Sequence, residues 1–262
     1  MLIDMHVHIF PDALAERALG TLSENCGDRP FSDGTLKDTL QKMDQYRVDK
    51  LAVLSIATNP KQQTNVNNFA AQIKSERVLS FGSVHFQSEN ALDELDRIVS
   101  LGLYGVKFHP DYQGFEMDDR RLYPIYEKIE ALKLPVVFHT GYDPVSPDYI
   151  HATPKMILRV MRDFRDMKII CAHLGSMNCF GEVEELLVGT RVFFDTGYVA
   201  GHMDPAQAFR IINRHGAEKV LFASDFPWQS SKTTFDFIDA MPLTSSQKDL
   251  IYFKNAEKLL KI

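Results

Sequence analysis

Cysteine is scarce in this chain of 262 residues: there are three, Cys26, Cys171 and Cys179, and no C-x-x-C pair. Neither a disulfide framework nor a thiolate zinc site is therefore indicated, and Cys171 reads as a small core residue. Long apolar runs are missing as well. The apolar stretches are strand-sized, and Asp4 and His6 stand where a secretory signal would need a positive start and an apolar run. The expectation is a cytoplasmic protein that does not enter the membrane. Blocks of like charge are also lacking, and Lys plus Arg total 29 against 35 Asp plus Glu, for a net charge of −6, which argues against a nucleic-acid partner. No G-x-G-x-x-G or G-x-x-x-x-G-K-[ST] follows any apolar run, so a nucleotide-binding open sheet loses its main support.

What the chain does have is a rhythm. Eight short runs rich in β-branched and apolar residues are bounded by turn residues: LIDMHVHIF from Leu2, KLAVLSI from Lys50, VLSFGSV from Val78, LYGVKFH from Leu103, LPVVFHT from Leu134, KIICAH from Lys168, RVFFDT from Arg191 and KVLFASD from Lys219. Amphipathic stretches such as LKDTLQKMDQY and NALDELDRIVS lie between them, with apolar residues three and four apart. Eight βα units in a chain of this length predict one (β/α)8 TIM-barrel domain over residues 1–262. The first interval is the longest, and Pro11 to Pro30 predicts an extra helix and loop above the barrel; Gly141 to Thr153 is the other long irregular loop.

The chemistry-bearing residues cluster at the predicted strand ends. Asp4, His6 and His8 alternate in strand 1, which places them on one face of a regular strand. His109, His139, His173 and Asp225 fall at the C-terminal ends of strands 4, 5, 6 and 8, where barrel active sites are built. Imidazole nitrogen with carboxylate oxygen suits zinc, manganese, iron or nickel. Lys107 shares a strand face with His109. A buried ammonium there either reacts with carbon dioxide to give a metal-bridging carbamate, stays cationic and binds a substrate carboxylate, or pairs with Asp4 or Asp195. Tyr112, Tyr142 and Trp228, together with His109, are the candidate substrate contacts, and Asp111 is a further pocket-shaping residue. His85, His151, His202 and His215 have weaker claims, each lying in or near a predicted loop or helix.

The set DMHVHIF, GVKFHP, VVFHTG, CAHLG and FASDFPW resembles the amidohydrolase superfamily of metal-dependent TIM barrels over nearly the whole chain, and most closely its amidohydrolase-related branch, which includes decarboxylases of the aminocarboxymuconate-semialdehyde type. The resemblance implies that His6, His8, His139 and Asp225 bind a first metal. His173 then either binds a second or acts on the substrate, and Lys107 is catalytic or bridging.

On this basis the leading expectation is a hydrolase of a small ester, lactone, amide or cyclic amide. It would use one or two divalent ions, zinc first among them, to activate water, with Asp225 moving the proton and His173 orienting the carbonyl oxygen. The alternative is a metal-dependent nonoxidative decarboxylase of a small unsaturated or aromatic acid. A small-molecule substrate is the expected partner, and a symmetric homodimer is the default among assemblies.

Overall fold

The computed structural model describes residues 1–262. Each apolar run becomes one short strand: β1 (Ile3–Val7), β2 (Lys50–Leu54), β3 (Val78–Phe81), β4 (Val106–Phe108), β5 (Pro135–Phe138), β6 (Lys168–Cys171), β7 (Phe193–Asp195) and β8 (Val220–Leu221). Helices α1 (Asp12–Cys26) and α2 (Leu36–Gln45) follow β1, α3 (Gln63–Ile73) follows β2, and α4 (Ala91–Ser100) follows β3. The series continues with α5 (Pro110–Gln113) and α6 (Tyr123–Ala131) after β4, α7 (Pro154–Asp163) after β5, α8 (Phe180–Leu186) after β6 and α9 (Pro205–His215) after β7. Then α10 (Ser231–Asp239), α11 (Ser245–Asp249) and α12 (Asn255–Leu260) end the chain. Helix starts carry the residues that satisfy free backbone N–H groups. Thr35, Thr153 and Asp204 accept from Asp38, Met156 and Ala206, and Thr244 forms a capping box with Gln247.

All strand pairs are parallel, in the order β1-β2-β3 and β4-β5-β6-β7-β8, the succession of a TIM barrel. At the two seams the ladder thins to isolated bridges. Gly82 N–H donates to Gly105 O at 2.9 Å and Lys107 N–H to Gly82 O at 2.8 Å. Met5 N–H donates to Phe222 O at 2.9 Å and His8 N–H to Phe226 O at 2.7 Å. Gly105 makes the first seam possible, because a Cβ there would meet Phe81 and the Pro135 carbonyl oxygen at 2.4 Å.

Two apolar layers hold these strands. Val53, Val106, Phe108, Phe138, Cys171 and Phe194 are among the residues that pack outward against the helices. Ile3, Met5, Leu54, Phe81, Val137 and Ile170 fill the interior, where α12 adds Ala256, Leu259 and Leu260. The interior above this plug is polar, and it is there that the histidines lie.

Strand β1 is not regular. Its pairing with β2 advances three residues from Asp4 to Val7 while β2 advances two from Leu51 to Val53. This extra residue restarts the alternation: Ile3 and Met5 point into the barrel below it, and His6 and His8 point in above it. Asp4 therefore does not share a face with His6, contrary to simple alternation. It points outward, accepting from Ser224 N–H, Ser224 Oγ and Ser231 Oγ, and burial lifts its pKa to about 6. No helix is long and apolar enough to cross a membrane.

His215, expected to be an ordinary surface histidine, is a buried structural residue. Its Nε2–H donates to Val192 O at 2.9 Å, Nδ1 accepts from Gly189 N–H at 3.2 Å, and the ring stacks on Phe194 with centroids 3.9 Å apart. Burial lowers its pKa to about 4 from an ordinary 6.5. The unfolded chain therefore binds this proton more readily, and stability present above pH 6.5 falls as the pH drops toward 4. Denaturant titrations at pH 7 and at pH 4 are expected to differ by up to about 3 kcal/mol from this residue. His215→Gln is expected to flatten the difference; an unchanged pH dependence in that variant contradicts the assignment.

Candidate active site

The C-terminal strand ends converge on a cavity of about 970 Å³. His6 and His8 come from β1 and its end, Lys107 from β4, His139 from just past β5, His173 from just past β6, Asp195 from the end of β7, and Asp225 from just past β8. Asp225 and His173 hold left-handed backbone, φ 65° and 59°, a conformation that costs non-glycine residues on the order of 1 kcal/mol or more. Two of the site's side chains are thus aimed at the expense of local strain.

Hydrogen-bond partners decide which ring nitrogens carry hydrogen. His6 Nδ1 lies 2.9 Å from Asp195 Oδ2 and His8 Nδ1 lies 3.2 Å from Leu54 O, both acceptors, so each Nδ1 is the donor. The lone pairs are then on Nε2, and both face Asp225 Oδ1, at 3.3 Å from His6 and 3.1 Å from His8. Lone pairs facing a carboxylate oxygen repel one another unless positive charge sits among them. The separations suit donors that share an ion at roughly 2.0–2.2 Å from each. The Lys107 ammonium donates to His6 Nε2 from 3.2 Å, a sign that this point attracts cations. The donor set therefore fits a divalent metal, with Asp195 and Leu54 O as the partners that fix the imidazoles.

The electrostatics agree. Burial and then the charge of Lys107 lower the His6 pKa to about 4, so its imidazole is neutral. Lys107, fully buried, is lowered to about 8 by desolvation, against the opposing pull of Asp195, Asp225 and Asp143, and so stays cationic at neutral pH. Neither Asp4 nor Asp195 forms an ion pair with it. Asp195 is committed to His6 and also accepts from the backbone N–H groups of His173 and Gly197, at 3.0 and 2.9 Å. Gly197 is tightly enclosed: a Cβ there would lie 3.2–3.3 Å from Asp195 Oδ1, Asp225 Cβ and His6 Nδ1, so a side chain would press on the site.

The expected ligands divide into two groups. His6, His8 and Asp225 form one; His139 stands with His109 and Asp143 in another, one donor atom from each lying within 4.8 Å of the others. His173 lies between the two, with Nδ1 2.8 Å from Gly197 O and Nε2 3.0 Å from His139 Nδ1. Tyr112, Tyr142 and Trp228 line the cavity as expected, and so does His202; His85 is buried away from it against Phe86. The Pro11–Pro30 segment contributes Pro11, Leu14 and Arg17 to the lining. Asp195 as the partner of His6, and Asp143, escaped the sequence reading. Both sit at or just beyond the C-terminal ends of strands, the criterion that singled out the histidines.

The chain matches the amidohydrolase family over residues 3–262. It belongs to that family. Over 79 residues it is 37% identical to a 2-amino-3-carboxymuconate-6-semialdehyde decarboxylase of Dictyostelium discoideum, a match covering 28% of this chain and 22% of that relative's length. A 5-carboxyvanillate decarboxylase from Sphingomonas paucimobilis superposes over 100% of this chain and 99% of its own, with a TM-score of 0.76 and 19% identity. A dihydroxybenzoic acid decarboxylase from Polaromonas sp. JS666, solved with bound manganese and an inhibitor, superposes over 99% of this chain and 96% of its own, with a TM-score of 0.73 and 16% identity. At such identities the structural likeness is one of fold. The family membership and the donor geometry together support a divalent metal in this amidohydrolase.

Asp195→Asn replaces the acceptor that keeps hydrogen on His6 Nδ1 with an amide that can donate, pushing the hydrogen onto Nε2. Metal affinity, measured by competition with a chromophoric chelator, is expected to fall about 10- to 100-fold. Unchanged affinity contradicts the assigned tautomer.

Proposed function

We propose that this amidohydrolase-family protein is a metal-dependent nonoxidative decarboxylase of a small aromatic or unsaturated carboxylic acid. The observation that carries the reading is Lys107, a buried cation 3.2 Å from His6 Nε2, in a cavity lined by Tyr112, Tyr142, Trp228 and Phe69. A buried ammonium without a directly paired carboxylate suits an anionic substrate whose unsaturated body packs against aromatic rings. A neutral ester or amide would leave that charge unanswered, so hydrolysis, the first expectation from the sequence, is the less supported of the two.

His6, His8 and Asp225 would hold the ion, a two-nitrogen, one-oxygen set that serves zinc and manganese alike. When bound, a divalent ion supplies the charge that draws in the substrate's anionic oxygens and stabilises electron density building up on the adjoining carbon framework. Lys107 holds the carboxylate. Asp225 Oδ1 faces the imidazoles, while Oδ2 accepts no hydrogen bond from the protein and is free to relay a proton from a substrate hydroxyl or cavity water. Asp225 would pass that proton to the carbon bearing the carboxylate. The C–C bond breaks with its electron pair retained by that carbon, the proton takes up the pair, and carbon dioxide leaves. No redox cofactor is required.

Carbon dioxide release from a panel of hydroxybenzoates and unsaturated acids is the direct test. Turnover of at least one acid, with Lys107→Gln lowering kcat/KM about 10²-fold while the fold is kept, is the expected result. Turnover of esters, lactones or amides, with none of any acid, restores the hydrolase reading.

A further inference from the structure

The 970 Å³ cavity is larger than a single-ring acid seated at the donor cluster requires, and it lies at the upper end of the range that encloses a drug-sized ligand. The surplus runs along α1. Lining residues extend from Leu14 to Cys26 of that helix, roughly 18 Å of its axis at about 1.5 Å per residue, and a benzene ring with its carboxylate covers less than half of that length. Of the residues of α1 only Ala15 and Leu19 are buried. Leu14, Ala18 and Leu22, spaced four apart and so stacked in one row, turn a second apolar face to the cavity, and Leu14 is 46% exposed. Helix α3 lines the same cavity with Val66 and Phe69, three apart on one face, and Ile56 follows from the end of β2. Ala18, Leu22, Val66 and Phe69 are half-buried, whereas the polar cavity residues of these helices, Arg17, Thr21, Asn25 and Asn65, are exposed. The two helices thus frame a groove with an apolar floor and a polar rim. Apolar surface of this extent left to water forgoes stabilisation that an apolar group entering the groove would recover.

We propose that the groove between α1 and α3 binds an aliphatic chain carried by the substrate, so that the acid taken by this protein is an aromatic acid with an extended alkyl substituent. The inference rests on the decarboxylase reading for the acid end and on α1 and α3 for the rest. Lys107 sets the direction of binding. As the buried cation of the cavity it draws the carboxylate to the donor cluster, the ring packs against Tyr112, Tyr142 and Trp228, and the substituent is left to continue along α1. Leu14, Ala18, Leu22, Ile56 and Val66 outnumber the one aromatic side chain of the groove, Phe69, which favours a flexible chain over a second ring that would need aromatic faces to stack on. The rim argues for a small molecule and against a protein partner. A chain on the apolar floor leaves Arg17, Thr21, Asn25 and Asn65 in water, while a protein surface laid over the groove would desolvate them.

The test is calorimetric titration of the full chain, with manganese present, by 4-methyl-, 4-butyl- and 4-hexylbenzoate. Affinity in the wild type is expected to rise about two- to fourfold per added methylene, the gain from burying one CH₂. Ala18→Phe and Val66→Phe, which fill the groove from its two sides, are expected to bind 4-methylbenzoate as the wild type does and to lose the gain with chain length. Circular dichroism shows that each variant is folded, and either one carries the result if the other does not fold. Equal affinity for the three benzoates in the wild type, or an undiminished gain in both variants, overturns the proposal. So does a wild type without the gain in which α1 acquires hydrogen-exchange protection as the chain concentration rises, since the groove then belongs to a second copy of the chain. The readout separates this inference from the reading it rests on: a gain with chain length but no carbon dioxide from any acid leaves the groove and removes the decarboxylase, and carbon dioxide from unsubstituted hydroxybenzoates with no such gain does the reverse.

Discussion

Two imidazole lone pairs and one carboxylate oxygen are held pointing at a common spot, and much of the upper barrel is arranged to keep them there. Left to themselves His6 Nε2, His8 Nε2 and Asp225 Oδ1 would turn apart, because each is an acceptor. They stay because their other ends are occupied: His6 by Asp195, His8 by the Leu54 carbonyl, and Asp225 by a backbone turn whose N–H donates to His6 O at 2.9 Å. The extra residue in β1 is part of the same device, since without it His6 would face the helices. The arrangement stores repulsion that an ion relieves, which is the physical content of a preorganised metal site.

Lys107 gives this site its sign. A floor carrying only the carboxylates of Asp195, Asp225 and Asp143 would repel an anion, and burial of the ammonium strengthens its attraction by removing competing water. The pull of Asp195, Asp225 and Asp143 keeps the lysine charged at neutral pH in spite of that burial. Substrate class, on this account, follows from one cation set among aromatic walls, while the choice among acids rests with the long loops after β1 and β5.

Much of this was legible in the sequence. Strand-sized β-branched runs and amphipathic intervals imply the eight βα units, because the two periodicities are imposed by backbone geometry and need no tertiary knowledge. The residues at strand C-terminal ends were readable for the same reason: topology alone brings them to one rim. What periodicity could not reveal was the irregularity in β1, since a one-residue bulge leaves no compositional trace, and so Asp4 was grouped with His6 although it points the other way. Nor could spacing divide the histidines into two sets. That division depends on which donor atoms come close together across the cavity, and it joins residues far apart along the chain.

The most direct test of the central claim is to locate the metal itself by anomalous diffraction, collected on either side of the absorption edge of the ion found in the purified protein. The account predicts an anomalous peak about 2.0–2.2 Å from His6 Nε2, His8 Nε2 and Asp225 Oδ1. No peak at that point in metal-loaded crystals, or an ion bound without either imidazole, would contradict it.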